Sequence, residues 1–114
     1  MPANSQATSN EYELESRELV AQSDGLRVQV LTLGPGHCVP WHKHTNITDS
    51  FFCLDGPMVI ETRGPDTSVE LEAGDRASVP AGQPHFVSPK EGGRCKFAIV
   101  QGVGEYDFVP VREQ

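Results

Sequence analysis

Two histidines, His42 and His44, stand at positions i and i+2 of a segment that begins at Gly36. In an extended strand such residues point to the same face, with their Cα atoms roughly 7 Å apart, so that both imidazoles can converge on one ion. Asp49 follows shortly after His44, and His85 comes later in the chain. Three imidazole nitrogens and one carboxylate oxygen predict a site for one divalent transition metal, with Fe, Mn, Ni and Zn as candidates.

The role of Asp49 has two interpretations. Either its carboxylate completes the metal's ligands, or it hydrogen-bonds to a histidine or to bound water as an outer group. Three histidines and a carboxylate leave coordination positions open on a first-row metal, which suits binding of a substrate or of O₂. The identity of the metal therefore depends most on Asp49.

Short strands separated by glycine and proline turns must position these side chains. The alternating or β-branched and aromatic segments predict about nine or ten strands. The clearest are Leu26–Leu33, Ser50–Leu54, Met58–Thr62, Ser68–Leu71, Arg76–Val79, His85–Ser88, Cys95–Gln101 and Tyr106–Val111. Glu11–Leu19 is a weak candidate for a helix, and no long stretch has a clear 3.6-residue period. The fold class predicted is an all-β sandwich or barrel.

The chain of 114 residues has the length of a single domain. Residues 1–12 are polar and without periodicity, which predicts a flexible N-terminal tail. Residues 13–114 are expected to form one β-barrel domain. Hydrophobic residues make up 37% of the chain and charged residues 22%, as in ordinary globular proteins.

The charge of the chain argues against several classes of partner. The formal net charge is −7, and no cluster of Lys and Arg offsets it locally. We therefore expect binding neither to nucleic acid nor to a membrane surface. The N-terminus lacks the basic start and apolar run of a signal peptide, which predicts a cytoplasmic protein. The three cysteines have no CxxC spacing, and we expect them to be reduced and packed as small apolar residues.

Four residues are candidates for the substrate pocket. Alternation places Phe51 and Phe97 on the inner face of their strands, where core packing would explain them equally well. Gln101 shares a face with Ile99, so its amide either points into the barrel or lies at its end. Thr48, next to Asp49, could contact a ligand or water.

Several other polar or aromatic residues carry weaker expectations. His37 is predicted to be a loop residue near the mouth of the barrel, with metal binding as the less favoured alternative. Trp41 is expected at the rim or in a dimer contact. Arg27, Arg63 and Arg76 are interpreted as surface charges, although one of them could pair with an anionic substrate at the mouth.

These residues fall into two motifs in which the chain resembles the cupin superfamily. The first motif contains Gly, His-x-His, Glu and Gly, matched here by Gly36, His42, His44 and Gly56, with Asp49 in place of Glu. The second contains Gly, Pro-x-Gly, His and Asn, matched by Gly74, Pro80, Gly82 and His85, with Pro89 in place of Asn. The resemblance implies a single cupin-type β-barrel, that is, a jelly roll or double-stranded β-helix.

The resemblance also implies function. It favours a metal-dependent enzyme acting on a small organic molecule by dioxygenase, isomerase, lyase or cyclase chemistry. The alternative is a barrel that binds a small, sugar-like ligand without catalysis, and the two departures from the motifs are compatible with it. Small cupins commonly pair through edge strands, so a homodimer is expected.

Overall fold

Ten β-strands and one 3-10 turn form the regular structure of residues 12–112, the part of the chain that the computed structural model describes. The first five strands are β1 Ser16–Ser23, β2 Leu26–Leu33, β3 Val39–Lys43, β4 Thr48–Asp55 and β5 Met58–Thr62. The others are β6 Thr67–Leu71, β7 Arg76–Val79, β8 His85–Pro89, β9 Cys95–Gly102 and β10 Val109–Pro110, with the 3-10 turn at Lys90–Gly92. The predicted all-β class is confirmed.

The strands form two antiparallel five-stranded sheets. The first sheet has the order β1-β2-β9-β4-β7, and the second has the order β10-β3-β8-β5-β6. From β2 onward most connections cross from one sheet to the other, so strands distant in sequence become neighbours. The two sheets enclose one interior between them, as in a jelly roll.

Alternation along β2 and β9 supplies much of this interior. Every second residue of each strand is buried, and the two strands pair along their full length. The inward residues of β2 are Arg27, Gln29, Leu31 and Leu33, and those of β9 are Cys95, Phe97, Ile99 and Gln101. Each strand therefore begins or ends in polar inward residues and is apolar over the rest of its length.

The apolar inward residues of both sheets form one hydrophobic cluster. Its buried members are Leu31, Leu33, Val39, Phe51, Cys53, Met58, Ile60, Leu71, Val79, Val87, Cys95, Phe97 and Ile99. Burial of this surface at ~25 cal/mol per Å² is the main force that holds the sheets together. The polar inward residues lie at one end of the same interior, and we call this part the polar end and the hydrophobic cluster the apolar end.

Two predicted elements differ from the structure. The helix suggested by Glu11–Leu19 is wrong, because Ser16–Ser23 is a strand paired with β2 across a turn in which Gly25 has φ +78°. This pairing outweighs a weak helical period. The last strand, Val109–Pro110, is shorter than the predicted Tyr106–Val111.

The predicted tail falls almost entirely outside the described residues. Residues 1–11 are not among them. Tyr12, the last residue of that range, packs against the hydrophobic cluster and stacks on Phe108 with 6.1 Å between ring centroids. The described part of the chain contains no helix long and apolar enough to cross a bilayer.

Candidate metal centre

Three histidines and one aspartate meet between the two sheets. His42 lies on β3 and His85 on β8, opposite each other in the antiparallel register of the second sheet. His44 follows the end of β3, and Asp49 comes from β4 in the first sheet. All four side chains are at most 3% exposed. One possible ligand atom from each lies within 4.8 Å of the others, so this cluster, which we call the His/Asp cluster, could hold a metal ion.

The orientation of each imidazole is fixed by the backbone. Nδ1 of His42 lies 2.8 Å from the carbonyl oxygen of Pro40, and Nδ1 of His85 lies 3.0 Å from that of Gln83. Nδ1 of His44 lies 2.5 Å from the carbonyl oxygen of Asp107. A carbonyl only accepts, so each Nδ1 carries the proton and donates it. The lone pair of each neutral ring is then on Nε2, the arrangement that histidine ligands of metals use.

Asp49 faces two of these Nε2 atoms through a single oxygen. Its Oδ2 lies 2.8 Å from Nε2 of His44 and 2.9 Å from Nε2 of His85. Two neutral rings would point lone pairs at a carboxylate oxygen, which is repulsive. The geometry is satisfied when the rings are protonated or when a cation lies among them. A divalent metal with nitrogen and oxygen ligands therefore fits the donor set.

In the metal-free cluster, burial and neighbouring charges shift the pKa values of His42 and His44 in opposite directions. Burial disfavours the charged form of His44, but the hydrogen bond and charge of Asp49 outweigh it and raise its pKa. Burial also opposes ionisation of Asp49, yet hydrogen bonds with His44 and His85 hold its pKa below its usual range. Burial, followed by the charges of His85 and His44, lowers the pKa of His42 to about 3, so this ring is neutral.

A hydrogen bond from the loop before β8 connects the second motif to the first. Gly82 has φ +84°, a conformation that favours glycine, and its N–H donates to the carbonyl oxygen of His44 at 2.7 Å. His85 follows shortly afterwards, at the start of β8. The loop therefore sets the position of His85 relative to His44.

A row of polar side chains extends from the cluster across the first sheet. Arg27, Gln101 and Asp49 are register partners on β2, β9 and β4. Nε2 of Gln101 donates to Oδ1 of Asp49 at 3.2 Å, while Nε and Nη2 of Arg27 donate to Oε1 of Gln101 at 3.0 and 2.9 Å. The prediction of Arg27 as a surface charge is wrong, since it is 5% exposed. It has the inward parity of Leu31 on β2, a signal already present in the sequence.

A small cavity adjoins the cluster. Its volume is about 20 Å³, enough for one or two water molecules. The predicted pocket residues Phe51, Phe97 and Gln101 line it, together with His42 and other inward side chains. Thr48 is not among the lining residues, because strand alternation turns it away from the face of β4 that carries Asp49.

The segment that joins β9 to β10 covers the histidines. The ring of Phe108 stacks on His42 with 4.3 Å between centroids, and Tyr106 lies 5.3 Å from His44. Asp107 supplies the carbonyl that orients His44, and its own carboxylate accepts from the N–H and hydroxyl of Thr45. These roles were not predicted from the sequence, because the local pattern of this segment indicated a regular strand.

The other residues singled out by the sequence lie apart from the cluster. His37 is in the loop after β2, where its Nδ1 accepts the N–H of Gly34 at 2.9 Å. Trp41 is half-buried and packs beneath Arg63, whose Cζ is 3.9 Å from the ring centroid. Arg76 is exposed, as predicted. Of the cysteines, Cys53 and Cys95 are buried and Cys38 is half-buried, and none of the three forms a disulfide bond.

The chain matches the model of a known protein family. A family model described as a cupin domain matches residues 29–106, which include the whole His/Asp cluster. No curated protein matches the sequence. The resemblance drawn from the two sequence motifs is confirmed.

Solved structures share the fold at low sequence identity. A protein with a double-stranded β-helix domain from Klebsiella pneumoniae has a TM-score of 0.71 at 23% identity, covering 99% of this chain and 90% of that one. A cupin superfamily protein from Desulfitobacterium hafniense has a TM-score of 0.68 at 23% identity, covering 92% and 84%. An oxalate decarboxylase has a TM-score of 0.75 at 18% identity, covering 90% of this chain and 30% of its own.

Proposed function

This chain belongs to the cupin family, and on that premise we propose that it is a metal-dependent enzyme acting on a small organic molecule. His42, His44 and His85 would hold one divalent transition metal through Nε2, and Asp49 would complete the ligands. The donor set of three nitrogens and one oxygen suits Fe, Mn, Ni or Zn.

One observation carries the proposal. Three buried imidazoles have Nδ1 fixed by backbone carbonyls, and two of them turn Nε2 toward one carboxylate oxygen. A purely structural histidine cluster would be better satisfied if each ring had one donor contact and one acceptor contact. A bound cation relieves the conflict at Asp49 without protonating the rings.

The residues around the cluster would divide the remaining work. A bound metal would polarise an oxygen of the substrate, which is common to dioxygenase, isomerase, lyase and cyclase chemistry. Gln101 holds the outer oxygen of Asp49, and Phe108 and Tyr106 cover the rings against solvent. Phe51 and Phe97 give the cavity an apolar floor that limits the size of the substrate.

Metal titration of stripped protein tests the proposal. We expect one Fe, Mn, Ni or Zn ion per chain in the wild type and a loss of stoichiometric binding in His42→Ala. The matched control is His37→Ala, which removes a histidine outside the cluster and should leave the stoichiometry unchanged. Absence of stoichiometric binding of all four metals to the folded wild-type protein would refute the proposal.

The small cavity supports a second candidate, a domain that binds a small ligand without converting it. A cavity of about 20 Å³ leaves little room for a substrate and a co-reactant together. Turnover separates the candidates: metal-loaded protein that binds small ligands reversibly, but neither consumes O₂ nor changes them, would be a binding protein.

A homodimer is also proposed, with β1 as the contact. This strand is at the edge of its sheet, and Leu19 and Val20 on it are 59% and 60% exposed. Exposed apolar edge strands commonly pair with a second copy. Light scattering should give twice the mass of the chain for the wild type and a smaller mass for Val20→Lys, whereas a wild-type monomer would contradict the proposal.

A further inference from the structure

Arg27 is a buried cation whose described partners are all uncharged. Its guanidinium donates twice to the amide oxygen of Gln101, and its Cζ lies 4.0 Å from the ring centroid of Tyr106. Within residues 12–112 no carboxylate forms an ion pair with it. Burial of an unpaired charge is costly, and a guanidinium has five N–H donors, of which the bonds to Gln101 use two.

The neighbouring carboxylate does not serve as this counter-ion. Oδ2 of Asp49 faces His44 and His85, and Oδ1 accepts from the amide nitrogen of Gln101. Gln101 thus lies between the two charges, with its oxygen toward Arg27 and its nitrogen toward Asp49. Gln29 fixes the same orientation, since its Nε2 donates to the oxygen of Gln101 at 3.3 Å. The guanidinium and the His/Asp cluster are separated by about the length of one amide group.

Arg27 also lies where a ligand can reach it. Arg27, Gln101 and Tyr106 line both the small inner cavity and an outer cleft of about 240 Å³. The walls of this cleft come from the β1–β2 turn and from the segment after β9. The three shared side chains therefore separate the cluster from solvent, and Arg27 is the one full positive charge among them.

We propose that Arg27 binds the carboxylate of the substrate, so that the substrates of this protein are small carboxylic acid anions. The inference rests on the proposed function, because the other end of the substrate would lie at the metal held by the His/Asp cluster. The short span between Arg27 and Asp49, and the inner cavity of about 20 Å³, favour acids of two or three carbons. Arg27 and a planar carboxylate can form the paired hydrogen bonds that make such contacts specific.

The acidic residues of the outer cleft do not cancel this charge. Asp24 and Glu105 line the cleft, but both are exposed, so water and salt screen them. Arg27 is buried behind them and acts at short range in a medium of lower dielectric constant. The cleft residues would slow the approach of an anion more than they would weaken its final contact.

Pyruvate and its neutral isostere pyruvamide are the probes that test this inference. Calorimetric titration of metal-loaded wild type should show binding of pyruvate, with pyruvamide bound about ten- to a hundredfold more weakly. In Arg27→Gln we expect pyruvate affinity to fall by a similar factor and the two probes to become equivalent. Arg27→Lys should keep part of the preference because it keeps the charge. Arg76→Gln, which changes an exposed arginine, should behave as the wild type.

Metal content separates the two proposals. If Arg27→Gln keeps one metal per chain and a cooperative thermal transition but loses the preference for pyruvate, the inference is supported. If it keeps the preference, Arg27 is only a structural residue, and the metal centre stands. If the wild type binds no metal, the proposed function fails, and pyruvate binding to metal-free protein then tests Arg27 alone.

A measurement on the wild type covers the case in which the variants do not fold. The ¹⁵Nε resonance of Arg27, assigned as the guanidinium signal missing from Arg27→Lys or by its contacts to Tyr106, should shift on addition of pyruvate and stay in place with pyruvamide. If pyruvate binds but the Nε resonance of Arg27 shifts with neither probe, the inference is wrong.

Discussion

The two ends of the barrel interior are built by the same strands, yet they have opposite chemistry. At the polar end the cross-strand row on β2, β9 and β4 is Arg27, Gln101 and Asp49. Two rows further along, the same strands contribute Leu31, Phe97 and Cys53. Strand pairing determines which residues are neighbours, and only the side chains differ between the ends.

Burial acts on titratable groups at both ends, but the partners decide the outcome. At the apolar end burial, with the charges of Cys53 and Asp55, raises the pKa of Cys95 to about 12, so the thiol stays neutral. At the polar end burial also opposes the ionised form of Asp49, but hydrogen bonds with His44 and His85 lower its pKa. The apolar end therefore stabilises the fold, while the polar end keeps an ionised carboxylate in the interior.

The largest effect should come from the apolar end of β2. Leu33 is fully buried, so Leu33→Ala should reduce the free energy of unfolding by about 2–5 kcal/mol through lost burial and a residual cavity. Urea unfolding of metal-free protein measures it. Leu54→Ala, at a site that is 49% exposed, is the control and should change stability by less than about 1 kcal/mol. Folded Leu33→Ala should still bind one metal ion. Loss of metal binding in this variant would show that the apolar end also determines metal binding.

Asp49→Asn should have the opposite pattern of effects. It should weaken metal binding strongly and change the stability of the fold only slightly. Removing the negative charge among three histidines should weaken metal binding by about ten- to a hundredfold, as measured by competition with a chromophoric chelator. Asp66→Asn, in an exposed turn, is the matched control. Unchanged metal affinity in Asp49→Asn would place the carboxylate outside the ligand set.

The stability of the metal-free protein should depend on pH because the pKa of His42 is lowered in the folded state. The pKa of His42 is about 3 in the folded state against 6.5 as its ordinary value, so between these pH values the unfolded chain binds the extra proton. Stability from this group is complete above pH 6.5 and is lost as pH falls. Between pH 6.5 and pH 5, the free energy of unfolding of the wild type should fall by about 1–2 kcal/mol more than that of His42→Gln.

His44 contributes with the opposite sign, because its pKa is raised and its stabilisation is lost as pH rises. The comparison with His42→Gln removes this background. Chemical unfolding at several pH values measures both. A pH dependence identical in the wild type and His42→Gln would contradict the assignment of His42 as the neutral ring.

The smallest expected effect concerns two glycines with positive φ. Gly82 and Gly64 have φ of +84° and +65°, and a Cβ at either would meet nothing within 4 Å. Alanine should therefore cost each about 1 kcal/mol of stability through backbone strain alone. Only Gly82→Ala should also weaken metal binding, by severalfold, because Gly82 is bonded to His44. Equal metal affinity in the two variants would mean that the loop does not determine the geometry of the His/Asp cluster.

Much of the fold could be predicted from the sequence, because strand alternation and turn residues are local signals. Leu26–Leu33, Met58–Thr62 and Arg76–Val79 were predicted with the bounds that the structure has. Ser16–Ser23 could not be, since its pairing with β2 outweighs its weak local pattern. Tyr106–Val111 was predicted as one strand from its local pattern, although its first three residues contact the histidines instead of pairing in a sheet.

The sequence by itself determined the fold class and the four residues of the His/Asp cluster, because the motif spacing places them on neighbouring strands. The tertiary structure decided what surrounds them. Arg27 carries a charge that local reasoning assigns to solvent, and only the pairing of β2 with β9 brings it to Gln101. Asp107 orients His44 from 63 positions away. Such contacts depend on strand register and chain crossing between sheets, which no local pattern of residue types contains.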